Sequence, residues 1–104
     1  MSAEDLWQAK LNAAAAALER IARGAAPTPE ELAAAPRLDF WTVAAEDGFL
    51  MLQGVVSGHP AFEDGTKIVT SALLWVSDDR RAARTLSRFY RLGVRFDEAV
   101  PSAH

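Results

Sequence analysis

Apolar positions in the first part of the chain recur with the period of a helix. Trp7, Leu11, Ala14, Leu18 and Ile21 follow one another at spacings of 4, 3, 4 and 3, which puts them on one narrow stripe. The pattern predicts a helix over about residues 3–23. Ser2 is placed to cap it, with Asp5 three positions on as a weak capping box, and Gly24 to end it in a left-handed conformation. Ala13 to Ala17 leave the stripe small in the middle, so a partner backbone can come close at little side-chain entropy. Core cover is the expected use of this face, and a homodimer contact is the alternative. A second helix is expected over about residues 29–35, with Thr28 as N-cap, Pro29 at the first helical position, Glu30 and Glu31 at the positive end of the dipole, and Pro36 as the stop.

From Leu38 the period changes to that of strands. Phe40, Thr42 and Ala44 alternate with Trp41, Val43 and Ala45, and Glu46, Asp47 and Gly48 make a tight turn into a nearly unbroken apolar run, Phe49 to Val56. Within that run Gln53 and Gly54 mark a bulge. Gly58, His59 and Pro60 break the run, and a loop through Asp64 and Gly65 leads to Lys67–Val76, which stops at Ser77, Asp78 and Asp79. Residues 80–92 read two ways. As a helix they place Arg84, Arg88, Arg91 and Arg95 on one face with Ala82, Leu86, Phe89 and Phe96 near the other; as a strand they put Leu86, Tyr90 and Leu92 with Arg88. Periodicity alone favours the helix.

Composition narrows the class. With 104 residues, half of them apolar and three Trp and five Phe among them, the chain suits one domain with one core. It has no Cys and only two His, at 59 and 104, so neither a disulfide framework nor a structural zinc site is expected, and no metal or other cofactor is implied. Glu4 and Asp5 stand where a signal peptide would be basic, and the longest apolar run is far too short for a bilayer, which together suggest a cytoplasmic protein with no membrane partner. Charge is uneven: residues 1–66 carry four basic and ten acidic groups, a balance of −6, and residues 67–104 carry seven basic and four acidic, a balance of +3. Such asymmetry marks an interaction surface only where the fold keeps the two halves apart.

A resemblance decides the last segment. The series Gly58 His59 Pro60, Asp64 Gly65, Ile68, Thr70 Ser71, Arg84 Thr85, Ser87 Arg88, Tyr90 and Leu92 Gly93, within residues 54–93, resembles a family of short uncharacterised proteins from alphaproteobacteria and their mobile elements. The resemblance implies that the Thr, Ser, Arg, Tyr segment is a strand, and it implies no catalytic role. The expected fold is therefore α+β: the two helices packed on a four-stranded antiparallel meander with strands at about 39–45, 49–57, 67–76 and 83–92. The expected division is a single domain, with residues 1–36 helical, 37–96 the meander and 97–104 a tail.

Candidate chemistry is sparse. His59 can serve as a general base or lone ligand, and Thr70 or Ser71 as a nucleophile near Glu63 and Asp64, but these types occur together by chance in short chains, and a hydrogen-bonded turn is the expectation for His59 and Asp64. Hydroxyls of Thr70, Ser71, Thr85 and Ser87 on neighbouring strands predict cross-strand hydrogen bonds that Arg88 or Tyr90 can complete. Arginines at 80, 81, 84, 88, 91 and 95 suggest phosphate contact with Phe89 or Tyr90 as stacking surfaces, although a pI near 5.3 is unlike nucleic-acid modules. The reading that follows is a non-enzymatic protein-interaction module whose partner-binding residues are Arg84, Arg88, Tyr90, Arg91, His59 and Asp64. An anti-CRISPR type inhibitor of a host defence complex, of phage or mobile-element origin, is its concrete form. The alternative is a nucleic-acid-binding regulator built on the arginine-rich segment.

Overall fold

A computed structural model describes residues 2–99. Helix α1 spans Ala3–Ala22, and its capping box is complete: Ser2 Oγ accepts from Asp5 N–H at 3.2 Å while the Asp5 carboxylate accepts from Ser2 N–H at 3.3 Å. Gly24 follows with a φ of 73°, a conformation open to a residue without Cβ. Helix α2 spans Pro29–Ala34 and repeats the device with Thr28 and Glu31. Arg20 then ties the two helices together, since its terminal nitrogens reach both Glu31 oxygens, at 2.6 and 3.0 Å. The Arg20 hydrogen bond and the Thr28 N–H hold the Glu31 carboxyl at about 2.

The sheet corrects the expected topology. Five strands, β1 (Arg37–Glu46), β2 (Phe49–Ser57), β3 (Thr66–Val76), β4 (Ala82–Thr85) and β5 (Phe89–Leu92), form a closed mixed barrel and not a four-stranded antiparallel meander. Successive strands pair antiparallel, and β5 returns beside β1 in parallel through Arg37↔Arg91 and Leu38↔Leu92. The expected strand at 83–92 is two strands because Thr85 folds the chain back. Its Oγ1 donates to Arg88 O and accepts from the amides of Ser87 and Arg88, closing a turn where neither a helix nor one long strand can continue. A short helix α3, Phe96–Ala99, takes up the start of the expected tail, whose residues 100–104 lie outside the described residues.

Parity along β1 explains what fills the barrel. Strict alternation would send Leu38 and Phe40 to one side, yet the register shifts between Asp39 and Thr42, and Phe40 takes a φ of 52°. Trp41 therefore turns inward with Leu38, and Phe40 is left 48% exposed. Gly54, opposite the bulge, is the other half of the device: a Cβ there would stand 2.8 Å from Asp39 O and 2.9 Å from Leu38 Cγ. The sequence places the irregularity at Gln53 and Gly54, whereas the inserted residue is on the facing strand. Leu38, Trp41, Leu52, Val56, Ile68, Ala83, Tyr90 and Leu92 form the interior, and each large member stabilises the fold by about 1.5–3 kcal/mol.

A second cluster fastens the helices to the outside. Phe89, which alternates with inward Tyr90 on β5, packs with Ala17 and Ala35, flanked by Ile21, Ala26 and Trp75. Only Ala14 and Ala17 of α1 are buried, so the small middle of the stripe is the part used as core cover. The first half of α1, with Leu6, Trp7 and Leu11 exposed, runs on past this contact, and the molecule measures 51 × 30 × 28 Å. No helix among the described residues is long and apolar enough to cross a membrane.

Candidate functional site

The six residues expected to meet a partner fall in four places. His59 and Asp64 belong to the loop joining β2 to β3, where Gly58 takes a φ of 71° and donates its N–H to Asp64 Oδ1 at 2.8 Å. His59 Nδ1 accepts from Ala61 N–H at 2.9 Å, so the neutral ring carries its proton on Nε2. Partial burial, and the Arg88 charge after it, lower the His59 pKa from its ordinary value, which favours that neutral form. The ring packs at a tilt of 54° against Phe62, centroids 4.8 Å apart, and lies 6.2 Å from Tyr90. Tyr90 itself is interior, and burial raises its phenol pKa.

Arg84 and Arg88 flank a shallow hollow of about 310 Å³ with Glu31, Ser87 and Phe89. Arg84 is only 8% exposed; its Nε donates to Thr85 O at 2.9 Å and its guanidinium lies 5.0 Å above the Phe89 ring. Burial lowers its pKa, partly offset by the charge of Glu31. Arg91 points the opposite way from Tyr90, as strand alternation requires, and its Nε donates to Ala35 O at 3.1 Å. It lines a cleft of about 630 Å³ together with Arg37, Arg80, Arg81 and Arg95.

The hydroxyls resolve into structural bonds. Ser71 donates to Ser87 Oγ at 3.1 Å, a bond from β3 to the turn between β4 and β5 in place of the expected strand-to-strand pair, while Thr70 Oγ1 accepts from Leu52 N–H and donates to Ser71 O. Among the described residues, no hydrogen bond joins either hydroxyl to His59 or to a carboxylate, and no three metal-ligating side chains gather.

A larger surface escaped the sequence reading. Between α1 and the β1–β2 hairpin lies an apolar groove of about 660 Å³ walled by Trp7, Leu11, Phe49, Met51, Leu74 and Leu86, with Glu46 and Asp47 on its rim. Trp7 is 54%, Phe49 63% and neighbouring Leu50 51% exposed. A sequence signal existed: Phe49, Leu50 and Met51 are apolar on both faces of their strand, and the bulky residues of α1 lie N-terminal to the alanines that suit close packing.

A small α+β chain, a helical pair on a closed barrel with open grooves, is the class these observations define. The model of a family of unknown function, DUF6634, matches residues 2–102, and the chain belongs to that family. No curated protein and no solved structure matches it.

Proposed function

We propose that the chain is a non-enzymatic protein-interaction module that receives a basic amphipathic helix of a partner protein in the groove between α1 and the β1–β2 hairpin. The observation that carries the reading is the exposure of Trp7, Leu11 and Phe49 along that groove, since apolar patches of this kind mark binding surfaces. Charge selects the occupant. Glu46 and Asp47 stand on the rim, and the exposed half of α1 adds Glu4 and Asp5 against Lys10 alone. A second copy would bring acidic residues against acidic residues, whereas a helix with lysines or arginines flanking its apolar face meets opposite charge. A homodimer through α1 is therefore the less favoured occupant.

A cytoplasmic setting belongs to the same proposal, supported by the absence of cysteine from the sequence. The resemblance to short alphaproteobacterial and mobile-element proteins supports one concrete form, an anti-CRISPR type inhibitor that docks on a host defence complex. The nucleic-acid alternative draws on the arginines of the C-terminal part; with Phe89 and Tyr90 buried, phosphate contact would have to carry it without those rings as stacking surfaces.

The test uses a labelled Leu/Lys amphipathic peptide about five turns long, a Leu/Glu peptide of the same apolar face, and fluorescence anisotropy. The basic peptide should bind the wild type and weaken with salt, and Trp7→Glu/Phe49→Glu should lower affinity by at least about tenfold with the circular dichroism unchanged. Equal binding of both peptides, binding unaffected by the double substitution, no binding at low salt, or self-association that the double substitution abolishes would each refute the reading.

A further inference from the structure

We infer that the arginine-lined cleft on the β5–β1 side of the barrel is a binding site for a small polyanion carrying two or more linked phosphate groups, of the size of a nucleoside di- or triphosphate. This inference concerns a different face from the apolar groove and does not rest on it. Five arginines line the cleft from four parts of the chain: Arg37 from β1, Arg80 and Arg81 from the β3–β4 turn, Arg91 from β5, and Arg95, whose guanidinium lies 5.2 Å from the Trp41 ring centroid, from the segment before α3. Its volume of about 630 Å³ suits a small ligand. Convergence of separate segments on one concave surface distinguishes it from a row of solvated charges along one helix.

The local acids offset its charge only in part. Arg37 pairs with Asp39 at 2.9 Å and Arg95 with Asp97 at 3.3 Å. Asp79 and Glu98 also line the cleft, and the Asp79 carboxylate, which accepts from the Ser77 hydroxyl and from Arg81 N–H, keeps its charge beside Arg81. Among the described residues Arg80, Arg81 and Arg91 have no ion pair. Three such cations around one hollow repel each other, and a bound polyanion converts that repulsion into attraction.

Each of these arginines is held in place. Ser77 Oγ accepts from the amides of Arg81 and Ala82, and Arg80 N–H donates to Ser77 O, so the turn that carries Arg80 and Arg81 is braced, with Arg80 at a φ of 58°. Arg91 is anchored through Nε to Ala35 O. No recorded hydrogen bond among the described residues uses the terminal nitrogens of these three side chains, which leaves planar forks that match phosphate oxygens. One carboxylate ligand would neutralise one fork. Linked phosphates span several.

Titration calorimetry with inorganic tripolyphosphate as the probe tests the site. One molecule should bind per chain, with affinity that falls steeply as salt rises, and Arg81→Gln/Arg91→Gln should lose at least about tenfold in affinity. Arg81→Gln alone lies on an exposed turn and should show a smaller loss in a chain that melts like the wild type, while Arg23→Gln, at the end of α1, should bind as the wild type does. Tripolyphosphate that fails to bind at low salt, that binds all variants alike, or that binds at several sites per chain overturns the inference. So does a single-stranded oligonucleotide that binds more tightly than tripolyphosphate per charge and depends on the same arginines, which would assign the cleft to nucleic acid.

Discussion

Substituting the glycine opposite the β1 bulge probes the device that sets the barrel interior. A methyl group on Gly54 would stand 2.8 Å from Asp39 O, 2.9 Å from Leu38 Cγ and 3.2 Å from Trp41 Cα. Non-bonded carbons prefer about 3.5–4.0 Å, and two of these three atoms are backbone, so β1 and β2 must move apart where Leu38 and Trp41 enter the core. Overpacking of this kind costs about 1–3 kcal/mol, and the stiffer unfolded chain returns about 0.4–1 kcal/mol. The expected net loss for Gly54→Ala is about 1–2 kcal/mol, a fall in Tm of about 5–15 °C for a domain of this size.

Gly93→Ala is the informative comparison. Its methyl would overlap Asp39 Oδ1 and stand 2.7 Å from Arg37 Nη2, all side-chain atoms that can swing away. Relief then sacrifices the Arg37–Asp39 pair and the hydrogen bond from Val94 N–H to Asp39, the latter about 1 kcal/mol. In an Asp39→Ala background Gly93→Ala should therefore become less costly, while Gly54→Ala, which meets the Asp39 backbone, should cost as much as before. Urea unfolding followed by tryptophan fluorescence measures the whole cycle. Wild-type stability for Gly54→Ala, or a cost that Asp39→Ala relieves, would refute the account of the bulge.

Two further outcomes concern other parts of the fold. The Glu31 carboxyl sits at about 2, below its ordinary 4.5, because Arg20 and the Thr28 amide favour the charged form. Its contribution is thus fully present above about pH 4.5 and is lost as pH falls towards about 2, so Glu31→Gln should flatten that acid limb of stability against pH, and an unchanged slope would refute the assignment. Thr85→Val should destabilise by about 1–3 kcal/mol by depriving the Ser87 and Arg88 amides of their acceptor, whereas Thr85→Ser should cost about 1 kcal/mol for the lost methyl; denaturant curves that rank the two the other way would sink the turn assignment.

What could be read from the sequence divides along local and non-local lines. Both helices, their N-caps Ser2 and Thr28, the first capping box and the Asp47–Gly48 hairpin carry their signals within a few residues, and these are the elements the sequence predicts; the Thr28–Glu31 box is read there only as a cap and a dipole charge. The split of 83–92 was hidden because Thr85 closes its turn with a side chain, without Gly, Pro or Asn to announce it. Barrel closure depends on Arg37 and Leu38 meeting Arg91 and Leu92, a parallel pairing across most of the chain that leaves no local mark. The same closure explains why Tyr90, expected on a partner face, is interior: it sits on the inward side of the strand that seals the barrel. Arg84 is buried from the other direction, under the helical pair by Phe89, while Arg88 and Arg91 keep exposure on separate faces. The apolar groove was missed because Trp7 and Leu11 share a stripe with residues that do pack, and periodicity cannot say where along a helix the contact stops.

Sealing the last strand against the first also limits how another molecule can be recognised. At the seam, where Arg37 and Leu38 pair with Arg91 and Leu92, the backbone ladder offers nothing to a neighbouring peptide, whereas the hairpin end of β1, Thr42 to Glu46, pairs in the ladder with β2 alone. Around the seam, then, what a neighbouring molecule meets is side chains, those of Arg37 and Arg91 among them. Closure there withholds one edge from the strand-sharing that turns open sheets into fibres.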